Sequence, residues 1–408
     1  MKVSYYIARR YLFSKKSVHA INFISGISML GVFVGSAALI IILSVFNGFE
    51  TLILSMYNTF TPELRIEPAK GKSFDPSTAY FNTIKNDRRV ASYAEVLQEK
   101  ALLRYDKGQF IGLVKGVSDD FVKGKRLDSM VLDGSFTLKH NGENYAVIGA
   151  AVHNYLSVNI KDEFRTIEIY SPKKGGQNSI NPAEEFNVKA IHPAGVIQAQ
   201  QDFDDIVIVP IDFARELLNE EINVSFIELN LKAKASVEDY QKEISQKLGT
   251  GFIVKNRSQQ NQLLYKIFQS EKWAIFLILT FVLVIAIFNI IGSLTMLVID
   301  KRKDIAVLSS LGANKRLIRG IFFTEGMMIS MIGCIIGLLV GYAFCLLQQH
   351  YGFITMGSMN LITNSYPVTL KLMDFILVFG TVILVSLMAS SISSRLSIKH
   401  IENLRDDL

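Results

Sequence analysis

The sequence predicts a polytopic membrane protein, in which four transmembrane helices carry a large α+β extracytoplasmic domain inserted between helices 1 and 2. Three observations predict it. Ala20 to Phe49, Trp273 to Ile299, Gly326 to Gln349 and Phe375 to Ser394 contain no Asp, Glu, Lys or Arg, and each reaches the roughly 20 residues a helix needs to cross hydrocarbon. Residues 47–270, between the first run and the second, have the composition of an ordinary folded domain. Lys and Arg gather in the segments that four crossings place on one side.

Residues 1–20 precede the first span. Tyr5, Tyr6, Ile7, Tyr11, Leu12 and Phe13 interleave there with Arg9 and Arg10, the pattern of an amphipathic helix on the inner leaflet. The first span covers 21–46. A cleavable signal peptide is the competing reading, but its apolar region is only about 7–15 residues long and ends in small residues. Here Ser44 to Glu50 reads SVFNGFE, so the span is expected to stay as an anchor. The remaining spans are 271–299, 317–349 and 372–396.

Short loops rich in Lys and Arg remain in the cytoplasm. Lys2, Arg9, Arg10, Lys15 and Lys16 precede the first span, Lys301, Arg302, Lys303, Lys315, Arg316 and Arg319 lie in or beside the 300–316 connection, and Arg395, Lys399 and Arg405 mark the 397–408 tail. His350 to Leu370, in the 350–371 loop, has neither residue type. Both termini and the connection are therefore expected in the cytoplasm, and the large domain and the 350–371 loop on the far side. The net charge of +6 is largely that of the cytoplasmic segments and is no argument for nucleic acid. Cys334 and Cys345 share the third span, and at about 1.5 Å rise per residue they stand beyond disulfide reach.

Within 47–270, Ala101 to Tyr105 and Gln109 to Val117 read as strands joined by Asp106, Lys107 and Gly108, a hairpin signal. Tyr145 to Ile148, Arg165 to Tyr170, Phe186 to Ile191, Ile206 to Val209 and Phe226 to Leu231 are further strands. Ala151 to Leu156, Ile211 to Leu218 and Val237 to Leu248 carry helical patterns, so one or two α+β subdomains are expected. Ser171 to Glu185, SPKKGGQNSINPAEE, has no hydrophobic period and is either a hairpin tip or a docking loop. The domain's histidines, His153 and His192 among them, match no metal motif, and the chain has no G-x-S-x-G, Walker A or dinucleotide fingerprint. Catalysis by this chain is not expected.

Asp300 to Arg319 has internal order. Ile305, Leu308 and Leu311 form an apolar stripe on a short helix, Gly312 is placed to end it in a left-handed cap, and Asn314 can cap the third span. The helix is either an ordinary positively charged connection or a coupling helix for a cytosolic motor subunit. Gly31 and Gly35, and then Gly333, Gly337 and Gly341, recur at four-residue spacing, which lets helices approach closely; packing within the chain is expected for the third span, and a dimer seam is open to the first. Glu325 is an acid inside a hydrophobic stretch, read as a proton site or as a structural carboxylate that snorkels or pairs with Arg319.

Phe23 to Glu50, ending in Asn47, Gly48, Phe49 and Glu50, resembles the first span of the LolC/LolE permeases of the lipoprotein-releasing ABC transporter. Lys301 to Ala313, KRKDIAVLSSLGA, resembles the coupling segment of the wider FtsX/MacB-type permeases, with Asp304 where Glu is usual. Phe322 to Gly341 follows their pattern of a Phe, an acid followed by Gly, and spaced glycines. The 172–185 loop falls where LolC-type members carry a hook for a periplasmic lipoprotein carrier, and of that element it retains little beyond Pro182.

This resemblance implies a mechanotransmitting permease with no nucleotide site of its own, in the bacterial inner membrane. ATP and Mg would belong to a cytosolic LolD-like ATPase docking on Lys301, Arg302, Lys303, Asp304, Ile305, Leu308, Leu311, Gly312 and Ala313. A second permease chain, identical or different, would complete the transporter, and lipoprotein cargo would leave the membrane toward a periplasmic carrier docking near Pro172, Lys173, Lys174 and Pro182. The cargo's acyl chains require an apolar cavity, placed between the first and second spans of opposing chains, with Met29, Phe33, Ile40, Phe46, Phe281 and Phe288 as candidate lining residues or plain lipid-facing or packing side chains. The alternatives are an FtsX-like signalling permease that controls a cell-wall hydrolase and a MacB-like efflux or peptide-sensing permease.

Overall fold

The computed structural model describes residues 3–13, 19–122, 127–162, 164–173, 185–198, 204–356 and 365–406. The chain forms two compact units, Leu54–Tyr265 and the remainder, Met1–Ile53 with Lys266–Leu408. The N-terminal part of the helical unit contains α1 (Val3–Phe13) and α2 (His19–Phe60). Because α2 continues past Phe46, the expected domain boundary at residue 47 falls inside a helix, and the compact domain starts at Leu54.

The inserted unit runs through β1 (Leu64–Pro68), α3 (Ala79–Lys85), β2 (Val90–Tyr105), β3 (Gly108–Val117), α4 (Asp119–Val122), β4 (Val131–Gly134), β5 (Lys139–His140), β6 (Glu143–Gly149) and α5 (Ala150–Leu156). It continues through β7 (Ile167–Pro172), β8 (Phe186–Ile197), β9 (Ile206–Pro210), α6 (Ile211–Leu218), β10 (Phe226–Leu231), α7 (Val237–Leu248), β11 (Phe252–Asn256) and α8 (Arg257–Gln260). Strand β2 organises it. Its first half pairs with β10, while its second half pairs with β3 on one edge and with β7 on the other.

Following the pairings from β3 to β9, β6, β8, β7 and back to β2 closes a ring. Closure removes the exposed edges that invite pairing with other chains. The ring's strands share a core of Leu103, Val114, Ile148, Ile169 and Val207, to which α5 adds Val152 and α6 adds Phe213 and Leu217. The other lobe is the open sheet β11-β1-β10-β2, where Phe81 and Ile84 of α3 and Tyr240 and Ile244 of α7 cluster with Leu64, Ile66, Ile227 and Leu229. The alternation of buried and half-buried residues at the start of β1 follows from side chains pointing to opposite faces of a strand, whereas β10, between β1 and β2, is buried along nearly its whole length.

The hairpin β2–β3 turns through Asp106, whose φ is 52°, a left-handed conformation that Asp tolerates better than most residues. On the open lobe, the Arg89 guanidinium reaches Asp87 at 2.8 Å and Glu243 at 2.7 Å and lies over the Tyr240 ring at 4.3 Å. Hydrogen bonding from Arg89 holds both carboxyls down, each at about 2. Depressed carboxyls contribute stability that is present above their unfolded values, about 4, and is lost as pH falls toward about 2. Arg89→Gln is expected to lower stability at pH 5 and to flatten its dependence on pH, and thermal melts from pH 5 to pH 2.5 should show a lower starting midpoint and a smaller fall for the variant than for wild type.

The helical unit continues with α9 (Gln262–Asp300), α10 (Arg302–Ser310), α11 (Lys315–Tyr351) and α12 (Leu372–Asp406). Among the described residues, four helices are long and apolar enough to cross a membrane: Ser25–Phe60, Gln262–Asp300, Lys315–Tyr351 and Leu372–Arg395. The glycine stripes decide their packing. A Cβ on Gly333 would stand 2.7 Å from the Met29 carbonyl oxygen, one on Gly337 would be 2.5 Å from that of Phe33 and would overlap Ser36 Oγ, and one on Gly341 would overlap Ile40. Thus α11 lies directly on the backbone of α2.

Gly31 and Gly35 are used inside the chain as well. Cβ atoms there would meet Ala286 at 3.5 Å and Leu283 at 2.8 Å, which corrects the dimer-seam expectation for the first span: α9 occupies that face. Val32, Leu39 and Leu43 pack with Leu283, Ile287 and Ile290 of α9, Ile329 of α11 and Val378 and Val382 of α12. Buried Ala8 belongs to α1, which packs against α11 with Ser4 beside Gly320.

Candidate functional site

The connection from α9 to α11 is anchored by one side chain. Ile305 of α10 is 5% exposed and packs with Leu297 and Val298 of α9 and with Ile318 and Phe322 of α11. The expectation that Ile305, Leu308 and Leu311 share one docking stripe is corrected by this geometry. Leu308 is half-buried, whereas Leu311 is 80% exposed and Val307 60% exposed. The reason is where the helix stops: Leu311 is the C-cap, Gly312 turns the chain at φ 92°, and the Ala313 N–H donates to the Leu308 carbonyl at 3.0 Å. Asn314 then caps α11 by accepting from the Leu317 N–H at 2.9 Å.

The result is a short helix held against two spans, with Val307 and Leu311 facing outward. Arg302, Lys303 and Asp304 are exposed on its first turn, Asp304 lying 3.9 Å from Lys301, and Ala313 is half-buried. Ile305→Ala would leave a cavity at this joint and is expected to cost about 2–5 kcal/mol, seen as a lower melting midpoint with an unchanged helical spectrum at 20 °C.

The candidate lining residues separate. Ile40 is fully buried beside Gly341 and is corrected to a packing residue. Met29 and Phe33 are half-buried, their carbonyls against the glycines of α11. Phe46 meets the Phe268 ring edge-on at 6.3 Å. Phe281 and Phe288 are exposed along α9, with Leu277 and Ile285 near them in sequence. Among the described residues of α2 the exposed large apolar side chains are Ile27, Leu30, Val34 and Ile42, which the sequence reading missed. Their three- and four-residue spacing was the available signal, hidden by a helix that is apolar on every side.

Asn47 and Gly48 are buried and Phe49 and Glu50 half-buried, where α2 meets the segment preceding α12. Glu325 is 1% exposed, and neither carboxylate oxygen has a hydrogen-bond partner among the described residues. No ion pair joins it to Arg319 among those residues. In the inserted domain, Pro172 pairs with Phe186 and the Lys173 N–H donates to the Glu185 carbonyl at 2.8 Å, closing the hairpin below its tip. Lys174 and Pro182 lie outside the described residues.

Long apolar helices, an inserted mixed domain and an anchored exposed helix between the second and third spans are the features of a multi-pass permease. The chain belongs to the family of ABC transporter permeases with a MacB-like periplasmic core domain: the profile of that domain matches residues 25–247, and that of the FtsX-like permease C-terminal region matches residues 276–400. It is 23% identical to the lipoprotein-releasing system transmembrane protein LolC of Buchnera aphidicola subsp. Schizaphis graminum (strain Sg), over 94% of this chain and 94% of that protein. It is 23% identical to LolE of Haemophilus influenzae (strain ATCC 51907 / DSM 11121 / KW20 / Rd), over 85% and 83%. The crystal structure of the periplasmic region of MacB from Actinobacillus actinomycetemcomitans aligns with a TM-score of 0.37 at 12% identity, covering 51% of this chain and 96% of that one.

Proposed function

We propose that this chain is the permease subunit of a transporter that releases lipoproteins from the bacterial inner membrane toward a periplasmic carrier. ATP and Mg are held by a separate LolD-like ATPase in the cytoplasm, and a second permease chain completes the complex. Both termini and α10 are cytoplasmic, and the inserted domain is periplasmic. One observation carries the reading: α10 exposes Val307 and Leu311 while Ile305 fastens it to α9 and α11, so a motor that grips the exposed edge moves two spans directly. Likeness to LolC over nearly the whole chain supports lipoproteins as cargo.

Each buried acyl CH₂ holds the cargo by about 0.8 kcal/mol, so a multi-chain anchor leaves too slowly without work. The acyl chains are received between the first and second spans of opposing chains, with the exposed Ile27, Leu30 and Val34 of α2 and Phe281 and Phe288 of α9 as candidate lining residues. The loop between β7 and β8 is the proposed docking place of the carrier. The test is lipoprotein release from spheroplasts depleted of this protein with soluble carrier in excess. Retained lipoproteins, released again on re-expression, are the expected result; normal release together with a division or lysis defect would favour the signalling alternative.

A further inference from the structure

The SVFNGFE end of the first span is built into a polar joint at one end of the helical unit. Asn47 Nδ2 donates to Asp374 Oδ2 at 2.5 Å, Lys272 Nζ donates to Asn47 Oδ1 at 3.0 Å, and Lys272 Nζ lies 2.8 Å from Asp374 Oδ1. These three side chains come from α2, α9 and α12 and close a triangle. Asn47 is fully buried and Asp374 nearly so. Apolar side chains would pack this position in a helix bundle at no desolvation cost, so a buried charge held by an exact set of partners calls for a role.

The neighbouring residues extend the joint. Glu50 accepts from Lys371 at 2.7 Å, Phe49 meets the Tyr366 ring edge-on at 5.7 Å, and Gly48 lies so close to Pro367 that a Cβ would overlap its carbonyl. The Thr369 N–H donates to the Ser44 carbonyl at 2.9 Å, and Gln349 of α11 donates to the Val368 carbonyl at 2.7 Å. Residues 365–371 are therefore strapped to α2 and α11 by backbone groups. Every residue of the Asn47–Gly48–Phe49–Glu50 run has a partner in α9, in α12 or in that strap. Lys272 and Lys371, cations at the membrane end opposite the basic connection, are both paired with acids of the joint.

We propose that Asn47, Lys272 and Asp374 form a latch that makes α2, α9 and α12 move as one body at the end remote from α10. The helices α2 and α9 are those through which the chain enters and leaves the inserted domain. A displacement begun at α10 enters α9 and α11 through Ile305 and reaches α2 along the glycine stripes, and the latch ties α2 to α9 and α12 at the far end, so both connections to the domain shift together by the same amount. The three are positioning residues for transmission, and this role rests on the proposed ATP-driven function.

The test uses the full chain in nanodiscs with its partner ATPase. Spin labels are placed at the exposed positions Gln269 and Leu372, and lipoprotein release per ATP hydrolysed is measured in parallel. The latch predicts one narrow label spacing with and without a non-hydrolysable ATP analogue. Asp374→Asn should broaden it and lower release per ATP about tenfold, within the usual range of a coupling free energy, with hydrolysis retained; the exchanged pair K272D/D374K should recover both. A broad spacing in the wild type, or Asp374→Asn leaving spacing and release per ATP unchanged while merely lowering the amount of folded protein, would overturn the latch. Narrow spacing in a wild-type complex that hydrolyses ATP yet releases no lipoprotein would instead overturn the transport reading, since label spacing does not depend on cargo.

Discussion

Leu311→Arg is expected to uncouple the permease from the proposed partner ATPase while leaving the chain folded and inserted. Leu311 is the most exposed apolar residue of the connection and stands outside the cluster that anchors α10. A charge there disturbs nothing inside the permease, but it would have to be buried in the motor's groove. Central interface residues commonly contribute about 2–4 kcal/mol, and with about tenfold in affinity per 1.4 kcal/mol the ATPase should bind roughly a hundredfold more weakly. Titration of purified ATPase against permease in nanodiscs measures this, and Ser309→Arg on the same helix tests whether charge alone is responsible. Equal binding and equal cargo-stimulated hydrolysis in wild type and Leu311→Arg would remove α10 as the docking element.

The second large effect lies in the bundle. Gly337→Ala is expected to destabilise the helical unit, because its new methyl group would overlap Ser36 Oγ and approach the Phe33 carbonyl oxygen to 2.5 Å. Part of that obstacle is backbone, which cannot rotate away, so the two helices must separate. Overpacking of this kind costs about 1–3 kcal/mol. Gly292→Ala is the matched control, since a Cβ there meets nothing within 4 Å, and helix propensity alone favours Ala over Gly by about 0.8–1 kcal/mol. Thermal unfolding in detergent should place Gly337→Ala below wild type and Gly292→Ala at or above it. The reverse order would mean that α2 and α11 do not pack through this stripe.

Much of the inserted domain was legible in advance. The helices Ile211–Leu218 and Val237–Leu248 have the bounds read from sequence, as does strand Phe226–Leu231. Their apolar period is set by burial on one face, which a linear pattern records. Strands β1 and β11 were missed: LRIEP and FIVKN are five residues each, too short and too rich in charge to stand out, and they are strands because they pair with each other and β1 pairs in turn with β10. The first half of β2 escaped for a related reason, since its burial pattern breaks alternation where the strand passes from one lobe to the other.

At the connection the residue types were legible and their directions were not. Ile305 and Leu311 look equivalent along the chain, yet one is buried between two spans and the other open, because the helix ends between them at Ser310. The spans show the same division. Length and hydropathy determine that four helices cross a membrane, since the cost of placing backbone polar groups in hydrocarbon leaves a continuous apolar stretch no other form. Which face of each helix meets protein and which stays open is decided by close approach at glycines and by polar groups such as Asn47 and Asp374 that must find one another across hundreds of residues. Sequence by itself determined the composition of the elements and their order, because these depend on local periodicity and transfer energy; tertiary structure alone decided the partners, because packing and hydrogen bonding join residues that no period relates.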